Sequence, residues 1–258
     1  MARLFTGILR TGHFPNPWKL GRVILIPKPG KNIMLPSSYR PITLLSTTSK
    51  LFEKLLLLQL LPHVQPRDER VGFRAEHSTT LQVTRVLHHL ASARNKREHS
   101  IAVFLDMEKA FDRVWHAGLI YKLSTSTTPR RVVNTVATFL KDRRFQVAVE
   151  DVLYTERPIR AGVPQGSCLS PVCYSRFTDD IPAADGAMLA LYADYAAIIT
   201  TSLTAPHAAI KIQRALDLLP PWLKKWKLKV NVAKTQAISI GRSAWVPPSS
   251  GYASGRNR

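Results

Sequence analysis

Cysteine occurs only twice in the 258 residues, as Cys168 and Cys173. The pair gives neither a disulfide framework nor a zinc-ligand spacing, so a reducing, intracellular setting is expected. Acids are scarce as well: 17 Asp and Glu stand against 37 Lys and Arg, for a net charge of +20. None precedes Glu53 and none follows Asp217, while each of those ends carries eight Lys or Arg. A globular chain with that excess repels itself unless it meets a polyanion, and nucleic acid is the usual one. Long hydrophobic runs are missing too. Leu55–Leu61 and Ala187–Ile199 fall short of the ~20 residues that span a bilayer, and the second contains Asp194. No membrane segment is therefore expected. Residues 1–17 lack the sustained apolar run of a secretory leader, although Arg3, Arg10 and the missing acids faintly resemble a transit peptide.

What is present is enough apolar material, 45% of residues, to build a core. The stretch that organises the chain is Ile101–Asp112, IAVFLDMEKAFD. Ile101–Leu105 reads as a short buried strand, and it ends on a carboxylate, Asp106. A carboxylate at the exit of a buried strand is poorly solvated. It either caps the following helix or calls for a cation. A second strand, within Leu189–Asp194 (LALYAD), ends in the same way. Two such carboxylates on neighbouring strands make a divalent-metal site with open positions for phosphate oxygens. A basic frame around an acidic centre suits an enzyme that grips phosphate backbones and holds metal between them.

Taken in order, Met1–Pro17 holds a short helix-like piece. Val23–Ile26 and Ser37–Leu45 read as two strands joined through Pro29-Gly30, with Lys28, Lys31 and Arg40 around the tips of the hairpin. Such a cluster fits either a triphosphate clamp or a solvated surface. Ser49–Leu61 reads as a helix buried nearly all round, and a helix runs from Thr79 to about Ala93 behind an N-cap at Ser78. His77, His88 and His89 have no matching Cys or acid spacing for a metal. Glu108–Leu123 and Arg130–Leu140 read as helices, and Phe145–Val149 with Thr155–Ile159 as a hairpin around Glu150-Asp151. In RAGVPQGSCLSP, Gly162 and Gly166 allow close backbone approach, and a helix starts near Ser167. It ends near Asp179 and Asp180, both read as solvent-facing. A hairpin with an acid at its tip (Met188–Leu191, Ala196–Thr200), a helix at Ala205–Leu219 and a last strand at Thr235–Ile240 complete the ordered part. Residues 242–258, rich in Ser, Pro and Gly, read as a disordered tail.

WKLGRVILIPKPGK, SSYRPITLLSTTSKLFEK, GFRAEHSTTLQ, FLDMEKAFDRVWH, IRAGVPQGSCLSP, LYADY and WLKKWKLKVNVAKT occur in an order that resembles the reverse transcriptase of non-LTR retrotransposons, most closely those of the jockey type. The resemblance covers about Phe14 to Gly241. It implies an α+β fold of right-hand polymerase type, with an antiparallel palm sheet, packed helices and no thumb. Residues 1–17 would be an N-terminal remnant, 18–100 the fingers, 101–241 the palm with some fingers elements inserted, and 242–258 the tail. Asp106 and Asp194 would be the catalytic, metal-binding acids, with the Met107 carbonyl as a further ligand. Lys28 and Arg40 would hold the triphosphate, and Phe111 would stand as the gate against a ribose 2′-hydroxyl. Gln165 and Gly166 would line the incoming nucleotide and template base, and Lys234 would lie near the leaving pyrophosphate. The activity implied is RNA-directed DNA polymerisation with Mg²⁺, or Mn²⁺ in its place, on an RNA template with a DNA primer and dNTPs. The setting implied is an intracellular ribonucleoprotein, nuclear or cytoplasmic.

The pattern is broken where it matters most. Tyr195 stands where the second hairpin Asp is expected, so LYADY replaces a carboxylate pair. A phenol is a poor ligand for Mg²⁺, which carboxylates suit. Impaired catalysis is therefore expected, and a remnant that only binds RNA or DNA is the alternative. Arg70 in place of the usual Gln before Gly72 and Phe73, and a short Pro182–Met188 connection, point the same way. The family's endonuclease domain and thumb have no counterpart in these motifs.

Overall fold

The computed structural model describes residues 1–74, 78–149 and 152–241. In chain order the main elements begin with α1 (Ala2–Thr11), β1 (Leu20–Pro27), β2 (Tyr39–Leu44), α2 (Thr47–Leu60), α3 (Thr79–Asn95) and β3 (His99–Asp106). There follow α4 (His116–Ser124), α5 (Arg130–Leu140), β4 (Arg144–Val149), β5 (Val152–Leu153), β6 (Arg157–Pro158) and α6 (Ser170–Phe177). The series closes with β7 (Ala187–Tyr192), β8 (Tyr195–Ser202), α7 (Ala205–Asp217), α8 (Leu219–Trp226) and β9 (Gln236–Ile240). The fold is mixed α+β and divides into two compact units: residues 1–65 with 111–177, and residues 66–110 with 178–241 of the described chain.

In the first unit β1 and β2 pair as an antiparallel hairpin, Ile26 opposite Arg40, as the turn signal at Pro29-Gly30 predicts. β4 adds to the other edge of β1 in parallel, Leu20 opposite Arg144. The tip of the hairpin that the sequence places at Glu150-Asp151 lies outside the described residues; its first arm is β4, and in place of one strand over Thr155–Ile159 the return is two short strands, β5 and β6. β4 pairs antiparallel with β5 and, through Arg144 and Phe145, with β6. An aromatic cluster fills the core: Phe14 meets Phe139 edge-on at 5.1 Å between ring centroids, and Phe5 tilts against Phe52 at 5.5 Å. Two helical expectations are corrected here. Helix α2 buries Phe52, Leu56 and Leu60 but leaves Leu51, Leu55 and Leu58 exposed, so it is apolar all round without being buried all round. The segment read as one helix from Glu108 is a short turn at Ala110–Arg113 followed by α4. The cause lies in the carbonyls. Those of Phe111 and Val114 accept from the Val163 and Gly162 amides, which ties this stretch to a neighbouring segment in place of a continuous helical ladder.

In the second unit four antiparallel strands lie in the order β7-β8-β3-β9. β3 is central, and its buried, near-continuous apolar run has strands on both sides. Helix α7 packs on β3 and β8, burying Ile212 and Leu216. Helix α8 starts with prolines in its first turn, where no amide partner is lost, and buries Trp222 and Trp226. The α3 cap is as read from sequence, Ser78 Oγ accepting from the Leu81 amide at 3.3 Å. Helix α6 ends at Phe177 in the first unit, short of the two acids expected at its end. Those acids are engaged within the second unit: Asp180 accepts from the Trp222 indole at 2.9 Å and Asp179 from the Arg67 amide at 3.4 Å. Arg70 is likewise accommodated. Its main chain bridges to Leu191 at the β7 edge, and its buried side chain donates to Thr178 Oγ1 at 2.8 Å. His77 and residues 242–258 fall outside the described residues. None of the described helices is long and apolar enough to cross a membrane.

Candidate active site

The second unit brings together four of the residues singled out from the sequence, with Tyr195 beside them. β3 delivers Asp106 to its end, where only 5% of the residue is exposed. β7 and β8 meet in a two-residue turn, Ala193-Asp194, closed by the Tyr192–Tyr195 pair. In the register between β3 and β8, Asp106 stands opposite Tyr195. The Met107 amide donates to the Asp194 carbonyl at 3.3 Å, which pins the tip of the hairpin beside the end of β3. Ala193 takes φ +51°, a left-handed conformation costly for a residue with a Cβ. Gly72 packs flat on this turn: a Cβ there would run into the Ala193 amide and come within 3.0 Å of Tyr192 Cα and C.

Electrostatics mark this end of the sheet as cation-seeking. Burial, and to a smaller extent the charge of Asp106, raise the Asp194 carboxyl above its ordinary range. Asp106 Oδ2 accepts from Lys234 Nζ at 3.0 Å and from Asn231 Nδ2 at 3.2 Å, and its carbonyl accepts from the Asn231 amide at 2.7 Å. The hydrogen bond to Asp106 in turn raises the Lys234 ammonium above the usual lysine value. The donor set is oxygen only and carries two carboxylates, which fits a hard divalent cation better than a soft one. It is also short of one acid. Among the described residues no group of three or more His, Cys, Asp and Glu gathers to hold a metal.

The first unit holds the remaining predicted residues. Lys28 Nζ donates to the Ser37 carbonyl at 2.8 Å, within the β1–β2 hairpin loop, while Arg40 is exposed on β2. Phe111 stacks on Tyr174 with ring centroids 5.2 Å apart and planes 28° from parallel. The Gln165–Gly166 turn is clamped to β2: the Thr43 amide donates to the Gln165 carbonyl at 2.7 Å. Gly166 takes φ +126°, and a Cβ on it would collide with the Thr43 carbonyl. Gln165 Nε2 donates to Asp112 Oδ1 at 3.4 Å. Gly162, at φ +90°, lies against the Asp112 backbone, with its carbonyl 2.7 Å from His116 Nε2.

Burial depresses the His116 pKa, so this residue makes acid sensitivity testable. The unfolded chain binds the proton near the ordinary value of about 6.5 and the folded chain less readily. Its stabilising contribution is whole above that value and is lost as pH falls through it. The urea midpoint is expected to drop between pH 7.5 and pH 5.5, and His116→Gln, whose amide can still donate to Gly162, is expected to reduce that drop. An identical drop in both proteins would remove His116 from the account.

Two residues escaped the sequence reading. Asn231 gave no signal, because an amide in a lysine-rich segment has no distinctive spacing. Glu53 did give one. It lies on an apolar helix four residues after Ser49, and its carboxylate is wholly buried. Ser49 Oγ donates to its Oε1 at 2.9 Å, and Ser167 Oγ and the Cys168 amide donate to its Oε2 at 2.6 and 2.8 Å.

The family described as reverse transcriptase (RNA-dependent DNA polymerase) matches residues 26–250. A probable RNA-directed DNA polymerase from transposon BS of Drosophila melanogaster is 42% identical, over 91% of this chain and 27% of that protein. The RNA-directed DNA polymerase from mobile element jockey of the same species is 36% identical, over 93% of this chain and 27% of that protein. The chain thus spans about a quarter of the length of these relatives. Among solved structures, apo telomerase from Candida tropicalis, truncated from its C-terminal domain, superposes with a TM-score of 0.58 at 17% identity, over 94% of this chain and 55% of that one. That likeness shows a shared fold. The chain belongs to the reverse transcriptase family, and within it resembles the polymerases of jockey-like non-LTR retrotransposons.

Proposed function

We propose that this chain is an RNA-directed DNA polymerase domain, residues 18–100 serving as fingers and residues 101–241 as palm with some fingers elements inserted, with catalysis impaired by Tyr195. The observation that carries the reading is the pairing of two carboxylates at adjacent strand ends, Asp106 at the exit of β3 and Asp194 at the tip of the β7–β8 turn. Asp106, Asp194 and the Met107 carbonyl would hold Mg²⁺, or Mn²⁺ in its place. The metal, when bound, supplies charge stabilisation for in-line attack of a primer 3′-oxygen on the α-phosphate of a dNTP. The chain's own side chains do the rest. Lys28 and Arg40 bind the triphosphate, Phe111 excludes a 2′-hydroxyl, and Gln165 with Gly166 orients the nucleotide against the template base. Lys234, exposed apart from its bond to Asp106, neutralises charge on the leaving pyrophosphate. The partners are an RNA template, a DNA primer and dNTPs, met in an intracellular ribonucleoprotein.

A second reading, a remnant that binds RNA or DNA without catalysis, draws on one observation: a phenol, not an acid, occupies the position opposite Asp106. Mg²⁺-dependent primer extension on an RNA template separates the two. Slow extension that EDTA stops and Asp106→Ala abolishes is expected, while salt-sensitive primer–template binding persists without the metal. Extension surviving Asp106→Ala would overturn the assignment of the site. Binding with no extension under any condition would favour the remnant.

A further inference from the structure

We infer that Glu53 is the positioning residue of the Gln165–Gly166 turn, and through that turn sets the affinity for the incoming nucleotide. The inference rests on the proposed reading that this turn meets the dNTP. A carboxylate that is wholly buried is costly to keep unless hydrogen-bond donors replace the water it has lost. Glu53 meets that cost with three: Ser49 Oγ from its own helix, and Ser167 Oγ and the Cys168 amide from the two residues directly after Gly166. The buried guanidinium of Arg143, stacked 4.6 Å over the Phe139 ring, feels the same charge.

The turn is therefore held from two sides. Thr43 of β2 takes its entry through the bond to the Gln165 carbonyl, and Glu53 of α2 takes its exit. Ser167 Oγ also accepts from the Leu169 amide at 3.1 Å, and Ser170 Oγ donates to the Pro164 carbonyl at 2.9 Å, so the exit is tied into the first residues of α6. With Gly166 wedged against the Thr43 carbonyl, no slack remains on the entry side. Loss of the exit bonds would let Gln165 swing about Thr43. A leucine in this place would leave the Ser167 hydroxyl and the Cys168 amide without their acceptor. The carboxylate instead spends two of its three bonds on the turn, one of them the short bond from a hydroxyl to a charged acceptor.

The side-chain chemistry grades the variants. All three partners can donate to a carboxylate, which only accepts. In Glu53→Gln the amide oxygen can keep Ser167 and Cys168, while the NH₂ group donates to Ser49 once that hydroxyl rotates. Glu53→Gln is therefore the conservative rescue, Glu53→Ala the full loss, and Ser167→Ala the partial cut, since it removes the 2.6 Å bond to Glu53 and the acceptor of the Leu169 amide but leaves the Cys168 amide on Glu53.

The test is nucleotide affinity at a primer ended in a 2′,3′-dideoxynucleotide on an RNA template, where no bond can form and catalytic competence is irrelevant. The natural chain, Glu53→Ala, Glu53→Gln, Ser167→Ala and Gln165→Ala are compared for the Kd of the next complementary dNTP, for primer–template Kd and for melting temperature. Ser167→Ala is expected to weaken dNTP binding by up to about tenfold, the ceiling reached if the whole contribution of one hydrogen bond goes into holding the turn in its binding conformation. Its melting temperature and primer–template Kd stay close to those of the natural chain. Glu53→Ala weakens dNTP binding more, and Glu53→Gln restores most of it. Unchanged dNTP affinity in Ser167→Ala and Glu53→Ala, with Gln165→Ala still weakened, sinks the role of Glu53 and leaves the reading of the turn standing. Unchanged affinity in Gln165→Ala, or no dNTP binding by the natural chain, removes that reading and the inference with it. Should Glu53→Ala fail to fold, Ser167→Ala decides alone. A dNTP loss there that merely tracks a lower melting temperature counts against a positioning role.

Discussion

Tyr195→Asp is expected to extend an RNA-templated primer at least about 10²-fold faster than the natural chain in Mg²⁺, the scale of loss when reacting groups are misplaced by about 1 Å. The position is suited to a ligand. Tyr195 begins β8 directly opposite Asp106, follows Asp194 in the chain, and is 54% exposed. A carboxylate there would put a third acid beside two that already raise the local negative potential, and would complete an oxygen set suited to Mg²⁺. A phenol oxygen at the end of a longer side chain neither matches that charge nor stops at the same distance. The exchange is structurally mild, because the ring is half out of the fold and Asp at a strand end costs at most about 1 kcal/mol in β-propensity. Single-nucleotide incorporation, with Asp106→Ala introduced into both backgrounds as the blank, gives the comparison. Equal rates in the natural chain and Tyr195→Asp would show that two carboxylates suffice and that the phenol is no lesion.

Gly72→Ala is expected to do the opposite from a distance of one packed backbone. The added methyl would enter the Ala193 amide and approach Tyr192 Cα and C at 3.0 Å, and backbone atoms cannot rotate aside as a side-chain tip can. Either the Ala193-Asp194 turn shifts, or the segment carrying Arg70 and Val71 peels from the β7 edge, where the Val71 amide donates to the Leu191 carbonyl at 3.0 Å. Forced overpacking of this kind costs about 1–3 kcal/mol, read as a lower urea midpoint. Because the turn carries Asp194 and already strains Ala193 at φ +51°, the same methyl placed in Tyr195→Asp should cancel most of the gained extension. A midpoint and an extension rate both unmoved by the methyl would mean that the two backbones are not in contact in solution.

Much of this arrangement is legible from residue order because the relevant signals are local. The β7–β8 turn announces itself through apolar runs on both sides of Ala193-Asp194, and Asp106 through the buried run before it. What sequence patterns miss is non-local. The parallel pairing of β1 with β4 leaves no local trace, since neither strand's alternation names its partner. The break between Ala110–Arg113 and α4 is written in Gly162 and Val163, whose amides take the Phe111 and Val114 carbonyls, and not in the helix-like pattern from Glu108 to Leu123. Helix α2 misleads for a related reason: leucines on every side signal burial, yet Leu58 is 68% exposed. The Glu53 contacts to Ser167 and Cys168 are tertiary too, and only the buried acid four residues from a serine hints that something polar lies opposite.

The bond from Lys234 to Asp106 bears on how such a chain could be inherited. An ammonium already balances the buried acid, so the architecture does not depend on an ion arriving from solution. Cellular quality control reads unfolded chain rather than chemistry. A change at position 195 that cripples turnover would then pass unnoticed, and copies of the gene could go on making well-folded protein long after the reaction had been lost.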